Sequence, residues 1–213
     1  MVDFRRLRHV IKVCAVTTVA DAELVASAGA DALGVILADS PRRVTLATAA
    51  EICSSVHGRL ARVGVFRHAT YDDVARALDV LDLDALQIHG GLPEGVAALA
   101  RARGLALIEA LSVDDLDAAS GAGDAYLIDG ARPGSGLAHD WGDVARRSWD
   151  RPVIVAGGLT AETVADVLAT VGAWGCDVAS GSESSPGVKD RARVESFVRN
   201  ARQYFEEREE NRG

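Results

Sequence analysis

Long apolar runs, paired cysteines and a surplus of positive charge are all missing from this chain of 213 residues, and each absence removes a class of function. No apolar stretch approaches the roughly 18 residues that a membrane-spanning helix needs, so a helical membrane protein is excluded. The three cysteines, Cys14, Cys53 and Cys176, are odd in number and widely spaced, and no charged-then-apolar leader precedes them. Free thiols in a cytoplasmic setting are therefore expected rather than a disulfide scaffold. No Cys-x-x-Cys pair occurs and the five histidines are scattered, so nothing has metal-ligand spacing and neither metal nor cofactor is expected. No dinucleotide fingerprint follows the first apolar run. With 31 acidic against 23 basic residues and a formal net charge of −8, nucleic acid or an anionic membrane would meet repulsion over most of the surface. A small anion is still acceptable where local cations and backbone dipoles converge.

What is present is an alternation. Strand-like runs recur about every 25 residues, near 9–14, 32–37, 61–66, 84–88, 105–110, 124–128, 151–155 and 175–179, and helix-like segments follow each one. Those segments lie near 18–29, 46–57, 70–80, 93–103, 112–119, 141–148, 160–171 and 190–207. Apolar residues spaced by three and four, as at Val74, Ala77, Leu78 and Leu81, mark the helices. Runs such as VGVF and LALIEAL suit strands buried on both faces. Eight such units in a chain that is 48% hydrophobic and 25% charged make a closed α/β barrel, (β/α)8, the leading fold, with an open doubly wound sheet as the alternative. Residues 1–207 are expected to form that single domain, and 208–213 a charged tail.

The stretch 151–190 contains the same event twice: an apolar run empties into a glycine-rich turn. Val153, Ile154 and Val155 lead to Gly157 and Gly158, with Thr160 ahead of the next helix. Val178 and Ala179 lead to Ser180 and Gly181, with Ser184, Ser185 and Pro186 expected to open the last helix. Adjacent turns of this kind gather backbone N–H groups in one place, and barrels of this type commonly bind phosphate after their seventh and eighth strands. Chemistry in such barrels sits at the C-terminal strand ends, where Cys14, Arg42, His89 and Asp129 fall. Each also has a plainer explanation: a buried inert thiol, a surface ion pair, a strand cap, an acid at a turn.

In chain order the segments IKVCAVT, GADALGV, SPRRVT, VGVF, LQIHG, LIDG, GSGLAHDW, VAGGLTAETV and DVASGSESSPGVKD resemble the phosphoribosylanthranilate isomerase family over nearly the whole chain. The resemblance implies a TIM barrel and an Amadori rearrangement of a small anionic phosphosugar, in a monomer or homodimer without metal. It implies that Asp129 is the general acid, Cys14 the base, and Arg42 the holder of the anthranilate carboxylate. Gln87 and His89 would wall the pocket, Gly134 and Gly136 would approach the sugar, and Gly157, Gly158, Ser180 and Gly181 would hold the phosphate. Lys189 and Asp190 match a GVKD element that suits either ligand contact or a helix cap. Ala15, Leu137, His139 and Ser182 replace the family's usual glycine, lysine, phenylalanine and valine, which leaves open a related aminosugar phosphate as substrate, or a barrel that binds without catalysis.

Overall fold

A computed structural model describes residues 2–130 and 141–211. Eight parallel strands close into one barrel in sequence order: β1 Val10–Val13, β2 Ala32–Ile36, β3 Ala61–Arg67, β4 Ala85–His89, β5 Ala106–Ser112, β6 Ala125–Asp129, β7 Val153–Ala156 and β8 Gly175–Val178. β8 pairs back onto β1, matching Val10 to Gly175 and Val13 to Val178, which decides for the closed barrel over the open sheet. Around it lie α1 Val19–Ser27, α2 Leu46–Ser55, α3 Tyr71–Leu78, α4 Val96–Ala102, α5 Gly142–Arg146, α6 Val164–Val171 and α7 Arg191–Glu210. Threonine hydroxyls cap α1, α2 and α3 by accepting backbone N–H groups of the first turn, at Thr18, Thr45 and Thr70.

Three segments differ from the sequence expectation, each for a local reason. Where a helix was predicted at 112–119, β5 continues through Ser112 and only a 3-10 turn at Leu116–Ala118 follows. The buried Glu109 carboxylate organises that loop instead, accepting the N–H groups of Ser120 at 2.9 Å and Gly123 at 2.6 Å. Ser184, Ser185 and Pro186 do not open the last helix. They belong to a hairpin of β9 Glu183–Ser185 and β10 Val188–Lys189, turned at Pro186 and Gly187, whose φ of +81° suits glycine. Asp190 then caps α7 by accepting the Arg193 N–H at 3.0 Å. Finally, α7 runs on to Glu210, beyond the expected start of the tail, held by Arg208 on the Ala173 carbonyl and by an Arg8–Glu209 ion pair.

Strand parity decides which side chains see the interior. Ile11, Val13, Leu33, Val35, Leu86, Ile88 and Leu107 pack outward under the helices. The alternate residues point inward, and on five successive strands the lowest inward layer is alanine: Ala32, Ala61, Ala85, Ala106 and Ala125. Phe4 closes this end, its ring meeting Trp174 edge-on at 5.7 Å. Higher up the same parity carries polar groups. Lys12, Gln87 and Asp177 share it in the layer just below the C-terminal mouth, Cys14 and His89 follow Lys12 and Gln87 by two residues, and Asp129 follows the inward Leu127.

Candidate active site

Cys14 directly follows β1, where its N–H donates to the Val178 carbonyl at 2.7 Å and its side chain is buried. Asp129 ends β6, partly buried and in register with Ala156 of β7. β7 and β8 separate these two strands around the ring, so the pair sits one strand short of diametrically opposed and faces one mouth from two sides. Gly34 of β2 makes room for this chemistry: a methyl group there would lie 2.8 Å from the Cys14 Sγ and 3.1 Å from Lys12 Nζ.

The electrostatics of the mouth are unusual for a barrel interior. Lys12, fully buried, places Nζ 2.9 Å from Asp177 Oδ2, its register partner on β8. Burial alone would discharge Lys12, but Asp177 and the neighbouring Cys14 outweigh it and hold the ammonium above its ordinary range. For Cys14, burial pushes the thiol up, Lys12 pulls it down, Asp177 pushes it up again and Lys189 pulls it down, with the net direction upward. His89 is pushed down to about 4 by burial and by the charges of Lys12, Arg67 and His68. It therefore stands neutral at pH 7, sharing a hydrogen bond with Gln87 Nε2 at 2.8 Å. The buried Gln87 Oε1 and Asp177 Oδ1 have no hydrogen-bond partner among the described residues, which leaves two acceptors for water or a ligand to satisfy.

Arg42 lies in the loop after β2, where it is partly buried and met by Glu183 of the β9–β10 hairpin. Its Nε lies 2.9 Å from both Glu183 oxygens and its Nη2 2.7 Å from Oε2. That contact uses the Nε–Nη2 side of the guanidinium and fixes its plane, while Nη1 and the second hydrogen of Nη2 take no part in it. Burial opposes the Glu183 charge, but Arg42 and Lys189 overcome it and hold the carboxyl below its ordinary range. Arg42 is thus an ion-paired loop residue whose partner, Glu183, is buried.

Gly158 of the first glycine turn and Ser180 and Gly181 of the second line one cavity. Gly157 and Gly158 have φ of +85° and +69°, and a side chain at Gly181 would strike the Leu159 carbonyl oxygen at 1.9 Å, so these turns need glycine. Ser180–Ser182 forms a 3-10 turn after β8. With Gly158, Thr160, Glu162 and Arg193 it lines a cavity of about 600 Å³ at the start of α7. Ser182, the last residue of this turn, does not line the cavity. It is fully buried, donates to the Ala179 carbonyl at 2.7 Å and accepts from Lys189 Nζ at 3.0 Å. Lys189 is thus an interior residue while Asp190 is the cap. Burial holds the Lys189 ammonium below its ordinary range despite Glu183.

Cys14, Arg42, Gln87, His89, Asp129, Gly157, Gly158, Ser180 and Gly181 therefore occur at one end of the barrel. Gly134 and Gly136, with Leu137 and His139, lie outside the described residues. The sequence reading passed over Lys12, Asp177, Glu183 and Arg193. Counting by two from Cys14 would have found Lys12, an inward lysine in a buried strand, and counting back from Ala179 would have found Asp177. Nothing in the sequence marks the Arg42–Glu183 pairing across 141 residues. Among the described residues no helix is long and apolar enough to cross a membrane, and no group of three or more His, Cys, Asp or Glu is placed to hold a metal ion.

Residues 11–200 match the family model for N-(5'-phosphoribosyl)anthranilate (PRA) isomerase. An N-(5'-phosphoribosyl)anthranilate isomerase of Cereibacter sphaeroides is 37% identical over 207 residues, spanning 90% of this chain and 98% of that protein. The crystal structure of phosphoribosyl anthranilate isomerase from Thermotoga maritima superposes with a TM-score of 0.83 at 29% identity, over 92% of this chain and 99% of that one. A further phosphoribosyl anthranilate isomerase structure, in complex with reduced 1-(o-carboxyphenylamino)-1-deoxyribulose 5-phosphate, superposes with a TM-score of 0.78 at 27% identity, over 92% and 99% of the two chains.

Proposed function

This chain belongs to the N-(5'-phosphoribosyl)anthranilate isomerase family, and from that premise we propose how its own residues carry the reaction. The enzyme is an isomerase of tryptophan biosynthesis that converts N-(5'-phosphoribosyl)anthranilate to 1-(2-carboxyphenylamino)-1-deoxyribulose 5-phosphate. One observation carries the assignment of roles: Cys14 and Asp129 face the same barrel mouth from two sides, with the glycine turns beside them. Asp129 gives its proton to the ribose ring oxygen as the C1'–O bond breaks and the anilino nitrogen's lone pair forms the C1'=N double bond. Cys14 Sγ then takes the proton from C2', and the C–H electron pair becomes the C1'=C2' bond of an enolamine as the charge on nitrogen is neutralised. Tautomerisation, with loss of the C2' hydroxyl proton and protonation at C1', yields the ketose.

Arg42, its plane fixed by Glu183, offers its second fork to the anthranilate carboxylate. The 5'-phosphate lies on the backbone N–H groups of the 157–158 and 180–181 turns, with the α7 N-terminus and Arg193 adding positive potential. Neutral His89 and Gln87 line the sugar. Three buried unpaired thiols fit the reducing cytoplasm, where the protein acts as a monomer or homodimer on a phosphosugar and not on nucleic acid.

Purified Cys14→Ala and Asp129→Asn are each expected to lose about 10³-fold or more in turnover while keeping the wild-type circular dichroism spectrum. Neither is expected to rescue a tryptophan auxotroph that the parent rescues. Turnover within a few-fold of the parent in Asp129→Asn would remove the acid from this scheme.

A further inference from the structure

A thiol enclosed as Cys14 is meets two opposed demands, because burial suppresses the thiolate that a base needs. Its surroundings are arranged to answer one of them. Among the described residues, the charged groups that face it are Lys12 on its own strand, Asp177 on β8, Lys189 on β10 and Arg42 from the loop after β2, with Glu183 bridging the last two. Arg42, Lys12 and Lys189 carry three positive charges, while Asp177 and Glu183 carry two negative ones. The cluster is one negative charge short of neutrality, and Cys14 is the remaining group that supplies one. Lys12 is held for this purpose by its place in the fold. Strand parity puts it directly below Cys14, Gly34 leaves both atoms the same open space, and the β1–β8 register sets Asp177 beside it. Its contact with Asp177 is close at 2.9 Å yet not aligned as a hydrogen bond, so Nζ still has donors to offer.

We propose that Lys12 is a positioning residue that sets the ionisation of Cys14, with Asp177 as the counter-charge that limits its effect. The ammonium stabilises the thiolate that accepts the C2' proton, and Asp177 keeps Lys12 in place while moderating its pull, so that the proton gained by sulfur can later be surrendered. This inference rests on Cys14 as the base in the scheme above. It assigns Lys12 no contact with substrate.

The test reads the thiol directly. Thiolate absorbance near 240 nm is titrated in the intact protein, with the Cys14→Ala protein subtracted to remove Cys53 and Cys176, and repeated in Lys12→Met and Asp177→Asn. Removing Lys12 is expected to move the Cys14 titration to higher pH by about one unit or more, and removing the Asp177 charge to move it lower by a comparable amount. The acid limb of kcat/KM is expected to move with it in each variant. Shifts in the same direction, or none in either variant, would overturn the proposal, because a merely structural pair has no reason to give opposite signs. If Lys12→Met does not fold, the near-isosteric Asp177→Asn decides alone: a lower titration supports the proposal, and an unchanged or higher one overturns it. Full turnover in Cys14→Ala would remove the base assignment, while the titration would still report whether Lys12 governs the thiol.

Discussion

Buried charge occurs at both ends of this barrel, complete at one and incomplete at the other. At the lower end Arg62, 1% exposed, has every neighbour it needs. Its backbone N–H and Nε donate to Asp84 Oδ2 at 2.9 and 2.7 Å, Nη2 to Asp84 Oδ1 at 3.1 Å, and Nη1 to Asp82 at 2.7 Å, while Val2 N donates to Asp84 as well. Burial works against that charge, but the two carboxylates hold the guanidinium above its ordinary range. At the upper end Lys12 Nζ, Gln87 Oε1 and Asp177 Oδ1 are buried without aligned hydrogen-bond partners among the described residues. The two non-glycine residues with left-handed backbone among those described, Ala15 and His68, follow β1 and β3 at this same end. A complete cluster serves the fold, whereas an incomplete one leaves buried groups for water or a ligand to satisfy.

The largest expected effect separates the two ends by stability. Asp84→Ala leaves the Arg62 charge buried without its main partner and is expected to cost about 3–5 kcal/mol in denaturant unfolding, with turnover per folded molecule unchanged. Asp177→Asn keeps an amide oxygen beside Lys12 and leaves the Cys14 thiol able to supply negative charge to it, so it is expected to cost less. Equal losses in the two variants would erase the distinction between the ends.

A smaller effect separates them by pH. His89 titrates near 4 in the fold and near 6.5 when unfolded, so below pH 6.5 the unfolded chain binds more protons and stability falls as pH falls towards 4. Above pH 6.5 the contribution is fully present, on the order of 3 kcal/mol. His89→Gln is expected to flatten this part of the stability–pH curve relative to the parent, leaving the carboxylate-driven loss at lower pH. A parallel curve would mean that His89 takes up its proton alike in the folded and unfolded chain and that the mouth is wetter than its burial implies.

Much of this arrangement was legible before any coordinates. The apolar runs that became β1 to β8 announce themselves because both faces are buried, and the glycine turns because their backbone geometry admits little else. Cys14, Arg42 and Asp129 stand out as reactive groups at strand ends. Lys12 and Asp177 were harder, since a lysine in an apolar strand looks like a surface position until the β1–β8 register sets an aspartate opposite. The loop after β5 was misjudged because Glu109, three residues before the end of β5, binds N–H groups 11 and 14 residues later in the chain. The β9–β10 hairpin is not marked in the sequence because Ser-Ser-Pro also opens helices, and the Thr17 and Arg42 contacts that meet it come from 141 or more residues away.

The smallest effect isolates backbone strain by making one substitution at both ends. Ala15 has a φ of +62° directly after Cys14, with its side chain fully buried, and a left-handed backbone costs an L-residue roughly 1–2 kcal/mol. Replacing it by glycine relieves that strain, while losing roughly 0.8 kcal/mol of buried methyl and roughly 0.4–1 kcal/mol through the looser unfolded chain. The terms nearly cancel, so Ala15→Gly is expected to change stability by less than about 1 kcal/mol. Ala61, equally buried at the lower end of β3 in ordinary strand backbone, has the same two losses and no relief. Ala61→Gly is therefore expected to cost about 1–2 kcal/mol more than Ala15→Gly in parallel unfolding curves, and that difference measures the strain held beside the Cys14 thiol. Equal costs at the two positions would show that Ala15 is at ease in its backbone, and the case for strain beside the thiol would then fail even if the charge asymmetry stood.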